Sequence, residues 1–143
     1  MKKLFSVAFL SLAIAQITAQ EISKEIKIMF KSDNASNFNT IVKKEDINKC
    51  YNIEESSYSF LALSIKMNKP EIFKKLITEK ADINLICDEK TPLMYAAKYG
   101  NKEFVENLLK NGADKTIKNK KRYTAHDYAI KYNQPEIVKI LEY

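Results

Sequence analysis

At 143 residues the chain is long enough for one domain with its own core and too short for two ordinary ones. Its apolar share of 45% and charged share of 29% are those of a globular protein and exclude a chain held open by its own charge. The net charge of +6 falls short of the dense, one-sided basic charge of a nucleic-acid-binding domain, and two glycines in all exclude a glycine-rich phosphate loop.

The first residues read as an export leader. Lys2 and Lys3 make a positive start, Leu4 to Ile14 is an almost unbroken apolar run, and Ile17-Thr18-Ala19 ends on a small residue, which is the layout of a signal peptide. The run is shorter than the roughly 20 residues that span a bilayer, and no second apolar stretch follows, so cleavage is expected rather than an N-terminal anchor. No cysteine follows closely, which argues against a lipoprotein anchor. A cut after Ala19 makes 1–19 the leader, starts the mature chain at Gln20, and removes two lysines to leave a net charge of +4. The expected destination is the periplasm or the outside of the cell.

Next comes a segment with weak pattern. Glu21 to Lys31 suits a helix, Ser32-Asp33-Asn34 breaks it, and Phe38, Ile41 and Val42 suggest a second helix. Asp46-Ile47-Asn48 echoes Asp82-Ile83-Asn84. Cys50 to Tyr58 reads as a connecting loop.

From Ser59 the chain repeats itself. A shift of 33 lays Thr91-Pro92-Leu93-Met94-Tyr95-Ala96 over Thr124-Ala125-His126-Asp127-Tyr128-Ala129, and Glu103-Phe104-Val105 over Glu136-Ile137-Val138. A shift of 32 lays Ser59-Phe60-Leu61 over Thr91-Pro92-Leu93, and Ala81-Asp82 over Ala113-Asp114. Three copies are visible. In the middle one, Thr91 is placed to cap a helix and Pro92 to take its first position, where a missing N–H costs nothing. Leu93, Ala96 and Ala97 share one helical face, and Gly100 should end the helix in the left-handed conformation, with Asn68 and Asn133 at the same place in the neighbouring copies. A second helix follows each time, carrying Ile72, Phe73, Leu76 and Ile77 in one copy and Ile137, Val138, Ile140 and Leu141 in another. Pro70 and Pro135 fit only in the first turn of those helices.

These residues resemble the ankyrin repeat: Thr91-Pro92-Leu93-Met94-Tyr95-Ala96-Ala97, Gly100-Asn101, Leu108-Leu109 and Asn111-Gly112-Ala113-Asp114 follow that family's pattern closely. The outer copies depart from it. The first has Ser59-Phe60 for Thr-Pro and Lys80 for Gly, and the last has Ala125 for Pro and His126 for Leu. The resemblance implies an all-α solenoid of helix-turn-helix units over 20–143, with repeats at 59–90, 91–123 and 124–143 and an N-terminal capping unit at 20–58 that closes the core with a polar outer face.

Chemistry finds little footing. The single histidine, His126, stands at an apolar repeat position; a base formed with Asp127, as in a small hydrolase, conflicts with the divergence of adjacent helical residues by about 100°, so a packing histidine is expected. Glu71, Glu103 and Glu136 recur at the start of the second helices, where a carboxylate opposes the positive helix end. No enzyme, cofactor or metal site is expected. Cys50 and Cys87 are too few and too far apart for zinc, and either form a disulfide in an oxidising compartment or stay as two buried thiols.

What remains outside the scaffold points to binding. In ankyrin-like arrays the first helices line a concave face and the loops between repeats project from its edge as fingers. The ends of the first helices read Lys66-Met67, Lys98-Tyr99 and Lys131-Tyr132, which stack into a basic and aromatic stripe. The loop before the last repeat adds Lys118, Lys120, Lys121, Arg122 and Tyr123. Lysines supply positive potential and tyrosine or methionine supplies adaptable contact area, so the expected partner is a protein with an acidic surface, without nucleic acid or, in the mature form, membrane. An exported inhibitor or immunity-type accessory protein fits this best, and a secreted effector acting on a host protein is the alternative.

Overall fold

The structure is a computed structural model that describes residues 22–142. The expected leader 1–19 and its cleavage point lie outside the described residues.

Four units follow one another, and each opens the same way. Ser23, Ser59, Thr91 and Thr124 stand in extended backbone just before a helix, and each side-chain oxygen accepts a hydrogen bond from the backbone N–H of the third residue on: Ile26, Ala62, Met94 and Asp127. This satisfies one of the donors that the first turn of a helix leaves open. The first helices are α1 (Lys24–Ser32), α3 (Phe60–Lys66), α5 (Pro92–Tyr99) and α7 (Ala125–Lys131). Each gives way to a left-handed residue at matching places, Asp33, Asn68, Gly100 and Asn133, with φ of 51°, 52°, 67° and 53°. The second helices are α2 (Phe38–Ile41), α4 (Pro70–Thr78), α6 (Lys102–Lys110) and α8 (Pro135–Glu142), with Pro70 and Pro135 as first residues.

Packing explains the choice of residues. Ala62, Ala96, Ala97 and Ala129 are fully buried, and their small size lets α3, α5 and α7 lie close together. Ile72, Phe73 and Leu76, then Phe104, Val105 and Leu108, then Ile137 and Leu141 close the core from the second helices. Burying one such large side chain stabilises the fold by about 1.5–3 kcal/mol. A Cβ at Gly100 would also displace the side-chain amide of Gln134, which is long enough to swing aside, so the positive φ is what asks for glycine.

Side chains also reach from one unit to the next. Lys69, ahead of α4, offers no side-chain cap; the Asp33 carboxylate of the preceding unit accepts instead from the backbone N–H groups of Glu71 at 3.2 Å and Ile72 at 3.1 Å. Asn48 accepts from the Asp82 N–H at 2.8 Å, and Asn84 accepts from the Asp114 N–H at 2.9 Å. The echo between residues 46–48 and 82–84 is therefore a shared job.

The N-terminal unit departs from the expected picture in one respect. Residues 50–58 are a hairpin rather than a loop: β1 (Tyr51–Ile53) pairs antiparallel with β2 (Ser56–Tyr58), with Tyr51 opposite Tyr58. Burial drives this, since both tyrosines are buried and Tyr51 stacks on Phe60 with ring centroids 4.3 Å apart. Glu54 takes the left-handed conformation that the two-residue turn needs, at φ 56°. Helix α2 is a single turn around the buried Phe38. Cys50, at the foot of the hairpin, is joined by a disulfide to Cys87 in the next finger, with Cα atoms 5.8 Å apart.

Candidate functional site

The ends of α3, α5 and α7 carry the stripe that the sequence marks out. Met67, Tyr99 and Tyr132 are 41%, 41% and 40% exposed. Tyrosines that the sequence reading left out lie under two of them: Tyr95 stacks with Tyr99 at 6.5 Å and Tyr128 with Tyr132 at 6.2 Å. Residues four apart share a helical face, so the signal was present in the spacing. The Lys98 ammonium lies 5.3 Å from the Tyr99 ring centre and 5.1 Å from that of Tyr132, joining two repeats. Lys131 lies 5.4 Å from the Tyr123 ring. Such contacts contribute about 0.5–1 kcal/mol at exposed sites and hold long side chains in place.

Lys66 is engaged differently. It is half-buried, its ammonium sits 4.3 Å over the Tyr58 ring, and it donates to the Tyr58 hydroxyl at 2.7 Å. Burial pushes the Tyr58 hydroxyl up, but the hydrogen bonds from Lys66 and Ser56 and the nearby ammonium charge outweigh this and leave it below its ordinary pKa. The same hydrogen bond raises the Lys66 pKa, so the lysine stays charged. Burial holds the Tyr95 hydroxyl well above its ordinary value, and Tyr51 is pushed up to about 12 by burial with help from Asp46.

Three fingers edge this face. The first is the β1–β2 hairpin, with Glu54 and Glu55 at its tip. In the second, Cys87 and Lys90 pair across Asp88 and Glu89, both left-handed, at φ 49° and 63°. The third carries Lys120, Lys121 and Arg122 and is tied down by Asn119. That buried side chain accepts from the Tyr123 N–H at 2.9 Å and donates to the Tyr128 hydroxyl at 3.0 Å. Lys118, Lys120, Lys121, Arg122 and Tyr123 are all exposed. The acidic tips of the first two fingers do not stand out in the sequence, where lysine dominates the charge.

A family profile described as ankyrin repeats (3 copies) matches residues 28–142. The chain belongs to the ankyrin-repeat family. It is 31% identical over 119 residues to the rat (Rattus norvegicus) ankyrin repeat and SAM domain-containing protein 6, an alignment covering 79% of this chain and 13% of that one. It is 45% identical over 51 residues to the human (Homo sapiens) NAD-capped RNA hydrolase NUDT12, covering 36% of this chain and 11% of the other. The chain thus spans only a small part of the curated relatives it matches. Ankyrin repeats are protein–protein interaction modules, and the family is typically non-catalytic.

The ankyrin array also accounts for the residues with catalytic types. Asp127 does not face His126 as a partner; its carboxylate accepts from the Thr124 N–H at 2.7 Å and the Thr124 hydroxyl at 2.8 Å, closing a capping box on α7. The backbone bond and then the hydroxyl hold its pKa below the usual carboxylate range. His126 is half-buried with its Nε2 buried. Glu71, Glu103 and Glu136 stand exposed in the first turns of α4, α6 and α8. Among the described residues no group of three or more His, Cys, Asp or Glu side chains gathers to hold a metal, and no helix is long and apolar enough to cross a membrane.

Proposed function

We propose that this ankyrin-repeat chain is an exported binding protein, of inhibitor or immunity type, that masks an acidic surface of another protein with its concave stripe and third finger. The observation that carries this reading is the Lys98 ammonium set between the exposed rings of Tyr99 and Tyr132. Each ring packs on one side, Tyr99 on Tyr95 and Tyr132 on Tyr128, and leaves about two fifths of its surface open for contact; rings held in this way lose little side-chain freedom on binding. Lys131 and the exposed Lys118, Lys120, Lys121, Arg122 and Tyr123 extend the same chemistry to the edge.

Export rests on the first 19 residues, and the disulfide between Cys50 and Cys87 supports an oxidising compartment. The hydrolase reading of His126 loses support from the engagement of Asp127 with Thr124.

The test is a pull-down with the chain from the exported fraction of its native host, followed by surface-plasmon kinetics of variants. Tyr99→Ala and Tyr132→Ala should speed dissociation at a cost of about 1–2 kcal/mol each, while Lys120→Ala and Lys121→Ala should slow association and flatten its salt dependence. Wild-type kinetics in all four variants with helix content intact would move the binding surface elsewhere. Intact-mass measurement on the exported fraction tests cleavage, and a retained Met1 would count against it.

A further inference from the structure

The tips of the three fingers form a row with an ordered charge. The first carries Glu54 and Glu55, neither of which has an ion-pair partner among the described residues. The second carries two carboxylates that its surroundings already answer: Asp88 lies 3.7 Å from the Lys90 ammonium and Glu89 lies 3.9 Å from that of Lys120. Beside them Ile86 is 46% exposed. The third carries Lys118, Lys121 and Arg122, exposed and outside these ion pairs. Reading along the edge, the tips are negative, then balanced above the exposed Ile86 at the foot of the middle finger, then positive.

The row is held as a unit. A disulfide ties the foot of the first finger to the second. Between the second and third fingers lies a cleft lined by Ile86, Asp88, Glu89, Lys118, Asn119 and Lys120, across which the exposed Lys120 ammonium lies 3.9 Å from the Glu89 carboxylate, a loose contact. Asn119 fixes the third finger to Tyr128 beneath it.

A row of this order matches itself when turned end for end. We infer that the fingertip edge is a two-fold interface for a second copy of this chain, with the Glu54–Glu55 tip of each copy facing Lys121 and Arg122 of the other and the two Ile86 side chains meeting near the axis. An isologous contact requires one patch to be its own complement, which the sign reversal about the middle finger supplies. An apolar centre with a charged rim is the usual anatomy of a protein interface. In each middle finger Asp88 is answered by Lys90 and Glu89 by Lys120 of the third finger, so little net charge is brought to the axis. Because the pairs are exposed, the association is weak and sensitive to salt. It leaves the concave stripe open but covers part of the third finger, so a second copy and the acidic partner proposed above compete for Lys121.

Sedimentation velocity on the chain purified from the exported fraction tests this without any foreign partner, so it stands apart from the pull-down. At about 0.02 M salt the weight-average sedimentation coefficient should climb with protein concentration toward that of a dimer, and at about 0.5 M salt the association should weaken by about tenfold or more. Glu54→Lys with Glu55→Lys, and separately Lys121→Glu with Arg122→Glu, should each leave a monomer, while an equimolar mixture of the two variants should restore the dimer. Ile86→Ser should weaken association and keep its salt dependence. Circular dichroism checks that each variant keeps its helices, and Glu55→Lys alone, away from the left-handed Glu54, carries the same test if the double variant does not. A wild-type chain that stays monomeric at every concentration in low salt would overturn the inference. So would reversed-charge variants that self-associate like wild type, or a mixture no more associated than its components.

Discussion

The middle repeat and the N-terminal unit solve the same folding problem by different means. The middle repeat carries its own instructions: Thr91 caps α5, Pro92 opens it, Gly100 ends it, and Asn101 caps α6 by accepting from the Phe104 N–H at 3.2 Å. The N-terminal unit has a comparable first helix, capped by Ser23, but its second helix is a single turn with no side-chain cap. Ties to the next repeat hold it: the disulfide, the Asn48 bond to Asp82, the Lys69 ammonium on the Lys31 carbonyl at 3.0 Å, and the packing of Phe30 and Tyr51 on Phe60. Where local chemistry fixes the ends of helices, a unit can stand on regular stacking. Where it does not, long-range bonds carry the load.

The sharpest way to break this comparison is to cut the covalent tie. Replacing both Cys50 and Cys87 with serine reopens a loop of 37 residues and should lower stability by about 3–4 kcal/mol on the chain-entropy account. Hydrogen exchange should then show amides in 22–58 losing protection before those of α5 and α6; equal loss in both regions would mean that the N-terminal unit does not depend on its ties. On the other side of the comparison, Gly100→Val should cost about 2 kcal/mol, since it forces a β-branched residue to positive φ. Gly100→Asn should cost less, because Asn68 and Asn133 hold the same conformation. Denaturant midpoints decide this, and an unchanged midpoint for valine would remove the turn from Gly100.

Smaller effects sharpen the contrast. Asp33→Ala should cost about 1–2 kcal/mol, by leaving the start of α4 without a cap and by placing alanine at a φ of 51°, and Asp33→Asn should recover most of it. If alanine is neutral in a urea melt, α4 does not need the neighbouring unit. The smallest change concerns the α7 capping box. The Asp127 carboxylate has a folded pKa below its unfolded value near 3.9, so it contributes stability above that pH, which is lost as pH falls through the folded pKa. Urea midpoints of Asp127→Asn should therefore fall less steeply below about pH 4 than those of wild type. Parallel curves would show that the charge does not matter to the cap.

The regular part of the fold was legible because its signals are local. Thr91-Pro92, Gly100 and the recurring asparagines declare helix ends by their own backbone chemistry, and the 32- and 33-residue shifts expose the repeat. The hairpin at 50–58 was missed because three-residue strands carry almost no period, and its cause, the burial of Tyr51 and Tyr58, is tertiary. The same holds for the site. Tyr99 and Tyr132 stand out at the repeat spacing, but the position of Lys98 between their rings depends on how two repeats stack. The engagement of Lys66 with Tyr58 was hidden for the same reason, since it crosses from the hairpin to α3.

The Asp33 carboxylate has a consequence for how the molecule comes apart. In an idealised solenoid each repeat is stabilised by itself and by surface contact with its neighbours, so an array can fray from one end one unit at a time. Here a residue that ends one unit's first helix completes the hydrogen bonding of the next unit's second helix, and Asn48 and Asn84 pass a backbone bond forward in the same direction. Losing the N-terminal unit therefore exchanges fixed carboxylate and amide acceptors for water at the start of α4 and at Asp82. That couples the N-terminal end to the interior: unfolding inward from residue 22 gives up, at the first boundary, bonds that the bare geometry of stacked helices does not supply.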